Sequence, residues 1–324
     1  MRIRLSVFLA LLFIFLFSFD LKSDDPVKGV EPVTYKLAAK YYTNVANIFK
    51  FTEVSEFTRI FDDSSTHKFK RESTFYFSLN SRSIPENGFT TLDVTIDSLV
   101  YRFTEGEAVY KFNSQDEDPG DIAFNDLQTI FVPLGKSFDM VYSPYGEVAK
   151  IEGEKLDWLR NYINKDGSSL MDTVENFMWL DGISKERLEH ITNLQKFLFL
   201  PGPILQDSSW KSLFNIQIDR KNFFDTVDVK IEKIKEGFIT INAISKNLTN
   251  LPQSSIFYGI KGSLVPVTNS RGTGNYKIEL SPRGTIRYAE ANFNVDIGAK
   301  KGNSKFTDKV QVKMTWQLLG QYKL

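Results

Sequence analysis

The chain contains no cysteine. Disulfides, thiolate zinc sites, cysteine nucleophiles and an acylated N-terminal cysteine are therefore all excluded. Histidine is nearly absent, with only His67 and His190. Neither has a second histidine near it in sequence, so the H-E-x-x-H metal motif does not occur. His67 falls in the polar Asp62 to Lys68 turn and His190 reads as a solvated position on a helix. No G-x-S-x-G turn supports a Ser-His-Asp triad. Gly272-Thr273-Gly274 reads as a link between strands rather than a phosphate loop before a helix. No residue pattern asks for a cofactor or a resident metal.

An excess of one charge is missing too. Lys+Arg and Asp+Glu both number 40, and neither sign forms a long block. That balance gives no field for nucleic acid or an anionic membrane surface. The acidic run Asp116-Glu117-Asp118, with Gly120 and Asp121, lacks the spacing of a calcium loop and reads as solvated chain. Asn247-Leu248-Thr249 is an acceptor sequence that matters only in a glycosylating host.

What is present begins at the N-terminus. Arg2 and Arg4 precede an apolar run from Leu5 to Phe17, and polar residues return at Ser18 and Asp20. This order predicts a signal peptide over residues 1–19 and an exported protein, periplasmic or extracellular. The run would make a helix of roughly 20 Å, short of a bilayer core of about 30 Å. Bulky Leu16 and Leu21 make the cleavage site poor, so membrane contact is expected only through an uncleaved leader.

Beyond a polar spacer over residues 20–34, period-two alternation dominates. Phe69, Phe75, Phe77 and Leu79 share one face of a strand, and Leu92, Val94 and Ile96 begin another. That second pattern changes phase near Ser98 before Leu99, Tyr101 and Phe103, which predicts a bulge or a crossing between sheets. Val227, Val229 and Ile231, then Ile256, Tyr258, Ile260 and Leu264, then Tyr276, Ile278 and Leu280 continue the alternation. Phe306, Val310, Val312, Met314, Trp316 and Leu318 form the last strand, interrupted only by Asp308. A strand that long predicts a twisted or curved sheet.

Turn chemistry at Pro85-Glu86-Asn87-Gly88, Ser143-Pro144-Tyr145-Gly146 and Ser281-Pro282-Arg283-Gly284 separates strand pairs. The two S-P-x-G turns sit in similar surroundings and suggest two β halves built alike, over residues 35–152 and 204–324. Between them, residues 153–203 change to spacings of three and four. Leu156, Leu159, Tyr162 and Ile163 form one stripe. Leu170, Met171, Val174, Phe177 and Met178 form another after Ser168 and Ser169. Leu188, Ile191, Leu194, Gln195 and Leu198 form a third after Ser184. These are amphipathic helices, ended by Pro201-Gly202-Pro203. The fold class is mainly β: long antiparallel strands in one or two half-barrel or sandwich-like lobes, with a helical insert packed on the sheet.

Gly135-Lys136-Ser137-Phe138, the turn at Gly146, Val148, Gly153 before a helix, and Pro201 and Pro203 leading to Ser209-Trp210 form a recurring order. In these residues the chain resembles a family of exported bacterial proteins known only as a domain of unknown function. The resemblance spans roughly Ser73 to Leu318 and implies a β-rich envelope protein. It brings no catalytic residues. Members often carry an acylated cysteine, from which this chain departs.

Aromatics make up 14% of the residues, and Phe alone numbers 28. They read as thick sheet core or as the wall of an apolar cavity. With export and no recognisable catalytic machinery, the expected function is non-catalytic binding of an apolar small molecule or lipid, or of an envelope protein. Phe75, Phe77, Phe177, Met178 and Trp316 are the expected lining. The alternatives are a secreted hydrolase that works through carboxylates alone and, less favoured, an outer-membrane β-barrel. The barrel accounts for the alternation but for neither the helical insert nor the final Leu324.

Overall fold

The computed structural model describes residues 34–35, 37, 40–81, 89–116, 127, 130–143, 147–165, 173–196, 204–205, 208–219, 221–250, 255–258 and 263–324. The leader and residues 20–33 of the spacer, the Pro85 turn, Pro144 to Gly146, Glu117 to Asp121, Ser168 to Met171 and the Pro201–Pro203 break lie outside the described residues. By contacts the chain divides into Met1–Thr34 and Tyr35–Leu324, and the description concerns the second unit.

Long antiparallel strands make up most of it. They are β2 (Val45–Phe61), β3 (Thr66–Ser81), β4 (Thr90–Glu105), β5 (Ala108–Asn113), β6 (Ser137–Tyr142) and β7 (Val148–Glu152) before the helices. After them come β9 (Ser209–Ile218), β10 (Lys221–Lys235), β11 (Phe238–Asn250), β12 (Ser255–Tyr258), β13 (Ser263–Leu280), β14 (Ile286–Lys301) and β15 (Ser304–Lys323). All thirteen join one sheet in the order β7-β6-β4-β3-β2-β15-β14-β13-β11-β10-β9, with β5 beside β4 and β12 beside β13. The two-residue strands β1 (Thr34–Tyr35) and β8 (Ile204–Leu205) stand apart from it. The N-terminal and C-terminal β segments meet where β2 pairs with β15 over nearly their full lengths.

The alternation in sequence becomes the two faces of this sheet. On β15, Phe306, Val310, Val312, Met314 and Trp316 are buried while Lys309, Gln311, Lys313 and Gln317 are exposed. The phase change near Ser98 is a bulge: Tyr76 pairs with Ser98 and Phe77 with Ile96, which leaves Asp97 unopposed. Burial then resumes on the core side at Leu99, Tyr101 and Phe103. At the β13–β14 turn, Ser281 donates from its amide to Thr285 O at 2.8 Å and Thr285 returns its amide to Ser281 Oγ. Ser143 and Glu147, flanking the other S-P-x-G sequence, exchange the same two bonds.

The sheet curls until distant strands touch. In a flat sheet β10 would lie about 30 Å from β3, across β2, β15, β14, β13 and β11. Yet Arg71 on β3 bonds Asp219, in the β9–β10 turn, at 3.1 Å. Phe214 on β9 likewise meets Tyr276 of β13 and Phe293 of β14, with ring centroids 5.8 and 5.9 Å apart. The sheet stays open, with β7 and β9 as its edges. Outward positions of β2, β14 and β15 include Lys50, Glu56, Asn292, Asn294, Lys309 and Lys313, while Val100, Leu213, Phe224 and Ile244 are exposed on β4, β9, β10 and β11.

Among the described residues three helices follow β7: α1 (Glu154–Lys165), α2 (Thr173–Gly182) and α3 (Lys185–Thr192), with α1 against β6, α3 against β7 and β9, and α2 against both helices. Ser184 caps α3 by accepting from the Arg187 amide at 3.1 Å. The third apolar stripe was expected to carry the helix on to Leu198. Instead α3 stops at Thr192, because Asn193 leaves helical geometry and its side chain accepts from the Gln195 amide. Two other expectations are corrected. Gly272 and Gly274 lie inside β13 rather than between strands. At Gly274 a Cβ would stand 2.2 Å from Phe293 Cδ1, so the close strand approach requires glycine there. His67 belongs to β3 rather than to the preceding turn, and its Nε2 sits 2.9 Å from Glu105.

Candidate functional site

The buried face of the sheet is apolar with charges built into it. On β2 the inward positions run Phe49, Phe51, Glu53, Ser55, Phe57 and Arg59, so two charged residues share the apolar face. His190 of α3 is 1% exposed, which overturns its reading as a solvated helix position. The helical period fixed its stripe but not the strands against which α3 lies. Its Nε2 lies 3.1 Å from Glu53 Oε2, and Arg187 Nη1 lies 3.5 Å from the same oxygen. Burial pushes the His190 pKa down to about 4 against the opposing pull of Glu53. Burial acts to raise the Glu53 carboxyl, but His190, Arg187 and Arg71 outweigh it and bring it down to about 2. His190 Nδ1 has no hydrogen-bond partner among the described residues, which fits a neutral ring donating its one N–H to Glu53.

The second internal charge pair explains the single break in the β15 pattern. Asp308 receives two bonds of 2.7 Å from Arg59, from Nε and Nη2, a bidentate pair between adjacent strands. The Arg59 guanidinium also stands 4.4 Å from the Phe306 ring centroid. Both pairs sit on the buried face of the sheet, and none of their residues lines either groove described below.

Of the expected lining residues, Phe75, Phe77, Met178 and Trp316 are buried. Phe75 stacks on Phe51, Phe77 stacks on Phe49, and Trp316 packs 4.7 Å from Phe51 while donating from Nε1 to Ile191 O at 2.9 Å. None of these four lines either of the grooves described below. The Phe177 side chain lies outside the described residues.

Two of the depressions that open to solvent are lined by described residues. The larger, about 870 Å³, runs along the seam between the sheet edges. Its walls are Glu147 and Val148 on one side, residues 211–215 of β9 on the other, and Glu189, Asn193 and Lys196 at the base. Burial raises the Glu189 pKa and lowers that of Lys196 to about 8. Lys196 donates to Asn215 O at 3.2 Å and so ties the base of the seam to β9. Of the carboxylates in this cleft, Asp225 is already engaged by Ser245 and by the backbone amides of Thr226, Lys246 and Asn247. Among the described residues no group of three His, Cys, Asp or Glu could hold a metal ion.

The smaller groove, about 490 Å³, is aromatic. It is lined by Phe131, Val132 and Lys136 from the segment before β6, by Glu154, Lys155, Trp158 and Leu159 of α1, and by Trp179 of α2. Helix α1 buries Leu156, Leu159 and Ile163 against the sheet, which turns Trp158 off that stripe. Trp158 is 65% exposed and stacks on Tyr162 one turn later, with centroids 5.5 Å apart. Trp179 meets Phe131 edge to face at 6.0 Å. The segment before β6 is held by Gly135, whose φ of 66° lets its amide reach Ile96 O at 2.8 Å. At the other end Gly153 gives α1 room to start against β6, since a Cβ there would lie 2.9 Å from Ser137 O. The Gly135-to-Gly153 order noted in the sequence thus brackets the groove. Trp158, Trp179, Phe131 and the two lysines were not among the expected lining, although the position of Trp158 off the α1 stripe was the signal that could have found it.

No protein-family model matches the chain, and no curated protein matches it. Among solved structures it is similar to lipovitellin, in a study of lipid–protein interactions, with TM-score 0.45 and 9% identity over 88% of this chain and 26% of that one. The chain thus spans about a quarter of the lipovitellin chain. It is also similar to the translocator domain of the autotransporter NalP from Neisseria meningitidis, with TM-score 0.19 and 9% identity over 85% and 88% of the two chains. Salmonella typhi OmpF in complex with daunomycin gives TM-score 0.20 and 6% identity over 83% and 97%. No helix among the described residues is long and apolar enough to cross a membrane.

Proposed function

We propose that this protein is an exported, non-catalytic binder of an apolar chain, and that the aromatic groove between α1, α2 and the segment before β6 is where the chain lies. The observation that carries the reading is Trp158, a large aromatic left two-thirds exposed on the wall of a groove whose other walls are Phe131, Val132, Leu159 and Trp179. Leaving such a side chain in water forgoes burial that a ligand could complete. The groove volume falls within the roughly 300–1,000 Å³ of small-molecule sites. Export rests on the Arg2, Arg4 and Leu5 to Phe17 leader.

Calorimetric titration of delipidated protein with straight-chain ligands of increasing length tests the reading. Each added methylene that enters the groove should tighten binding about three- to fourfold, the equivalent of roughly 0.8 kcal/mol. The gain should stop once the groove is full. Trp158→Ala should weaken the longest ligand at least tenfold. Absence of binding at every length, or a Trp158→Ala protein that binds as the parent does, would end the proposal.

A further inference from the structure

The rim of the aromatic groove carries two lysines and one carboxylate. Lys136 and Lys155 both line it, and among the described residues neither is within ion-pair distance of a carboxylate. Lys136 is half-buried, and its ammonium donates only to the backbone oxygen of Leu134, at 3.3 Å. Most lysines of a neutral protein either pair or extend into water. Here Lys136 is held partly out of solvent beside a second ammonium: burial lowers its pKa and the charge of Lys155 lowers it further. Two like charges kept together on an apolar slot leave an unfilled place for an anion. Glu154 stands on the same rim and opposes one, while also favouring the start of α1.

We propose that the ligand is an anionic amphiphile, with a carboxylate or phosphate head between Lys136 and Lys155 and its chain against Phe131, Trp158 and Trp179. This rests on the apolar-chain reading above and adds the charge of the head. The arrangement matches the general form of amphiphile sites, where apolar walls supply affinity and a few placed charges fix orientation.

The test compares dodecanoate, dodecyl phosphate and dodecanol on the delipidated full chain, each below its micelle concentration. At least one anion should bind ten or more times tighter than the alcohol, and that preference should shrink as sodium chloride rises. The tighter of the two anions identifies the head. Lys155→Gln, an exposed change, and Lys136→Gln should each remove most of the preference while leaving dodecanol affinity within twofold. Glu154→Gln should strengthen both anions. If dodecanol binds as tightly as both anions, or if neither lysine variant alters the preference, the anionic head is refuted and the apolar groove stands. If none of the three binds, the apolar-chain reading itself fails.

Discussion

Asp308→Ala should destabilise the fold by about 3–5 kcal/mol, among the largest losses any single substitution in the sheet would cause. The mechanism is the charge left behind. Arg59 is 6% exposed and gives its forked face to Asp308 in two bonds of 2.7 Å. Without the carboxylate a guanidinium remains inside the β2–β15 pairing, against Phe306 and Phe69, having lost its bidentate counter-charge. Urea denaturation followed by circular dichroism measures the change as a shift in midpoint at constant slope. Replacing both partners, Arg59→Met with Asp308→Leu, should recover most of the loss, because a buried pair is worth little more than apolar groups of equal volume. A double variant as unstable as the single one would show that the pair does more than neutralise itself.

Acid should destabilise the protein well before its carboxylates are generally protonated. In the folded chain His190 takes up a proton only near pH 4, whereas in the unfolded chain it does so near its ordinary value of 6.5. Between those values the unfolded state binds more protons, so stability present above pH 6.5 is lost as pH falls toward 4. The loss is on the order of 3 kcal/mol at one pKa unit per 1.36 kcal/mol. Glu53 acts in the same direction lower down: ionised in the fold to about pH 2 against an ordinary 4.5, its contribution disappears as pH falls through that interval. Thermal melts at pH 7, 5.5 and 4.5 should show a steep decline. In His190→Gln, where an amide N–H can still reach Glu53, the slope between pH 6.5 and 4.5 should flatten. An unchanged slope in that variant would place the titrating group elsewhere.

These two sites show what could be read in the sequence and what could not. The alternation through Phe306 to Trp316 located both faces of β15, and Asp308 was visible as a charge on the wrong face. Its partner was not, since Arg59 lies 249 residues away and nothing local joins β2 to β15. The bulge at Asp97 was legible as a phase change and the start of α3 as the Ser184 cap, because both are local rules. The curl of the sheet was not. It depends on how Phe214, Tyr276 and Phe293 from three strands pack together, and periodicity carries no distance between strands. For that reason His190 was misread. The aromatic groove beside the helical insert was legible only in part, through Trp158, which departs from its own helix's apolar stripe.

Quenching of tryptophan fluorescence by terminally brominated dodecanoate tests the central claim most directly, since bromine acts only at short range. Trp158 and Trp179 line the groove, while Trp316 is sealed in the core and serves as an internal control. The account predicts saturable quenching in the parent chain and its loss in a Trp158→Phe, Trp179→Phe variant that retains Trp210 and Trp316. Quenching that persists at full amplitude in that variant would place the chain elsewhere and contradict the account.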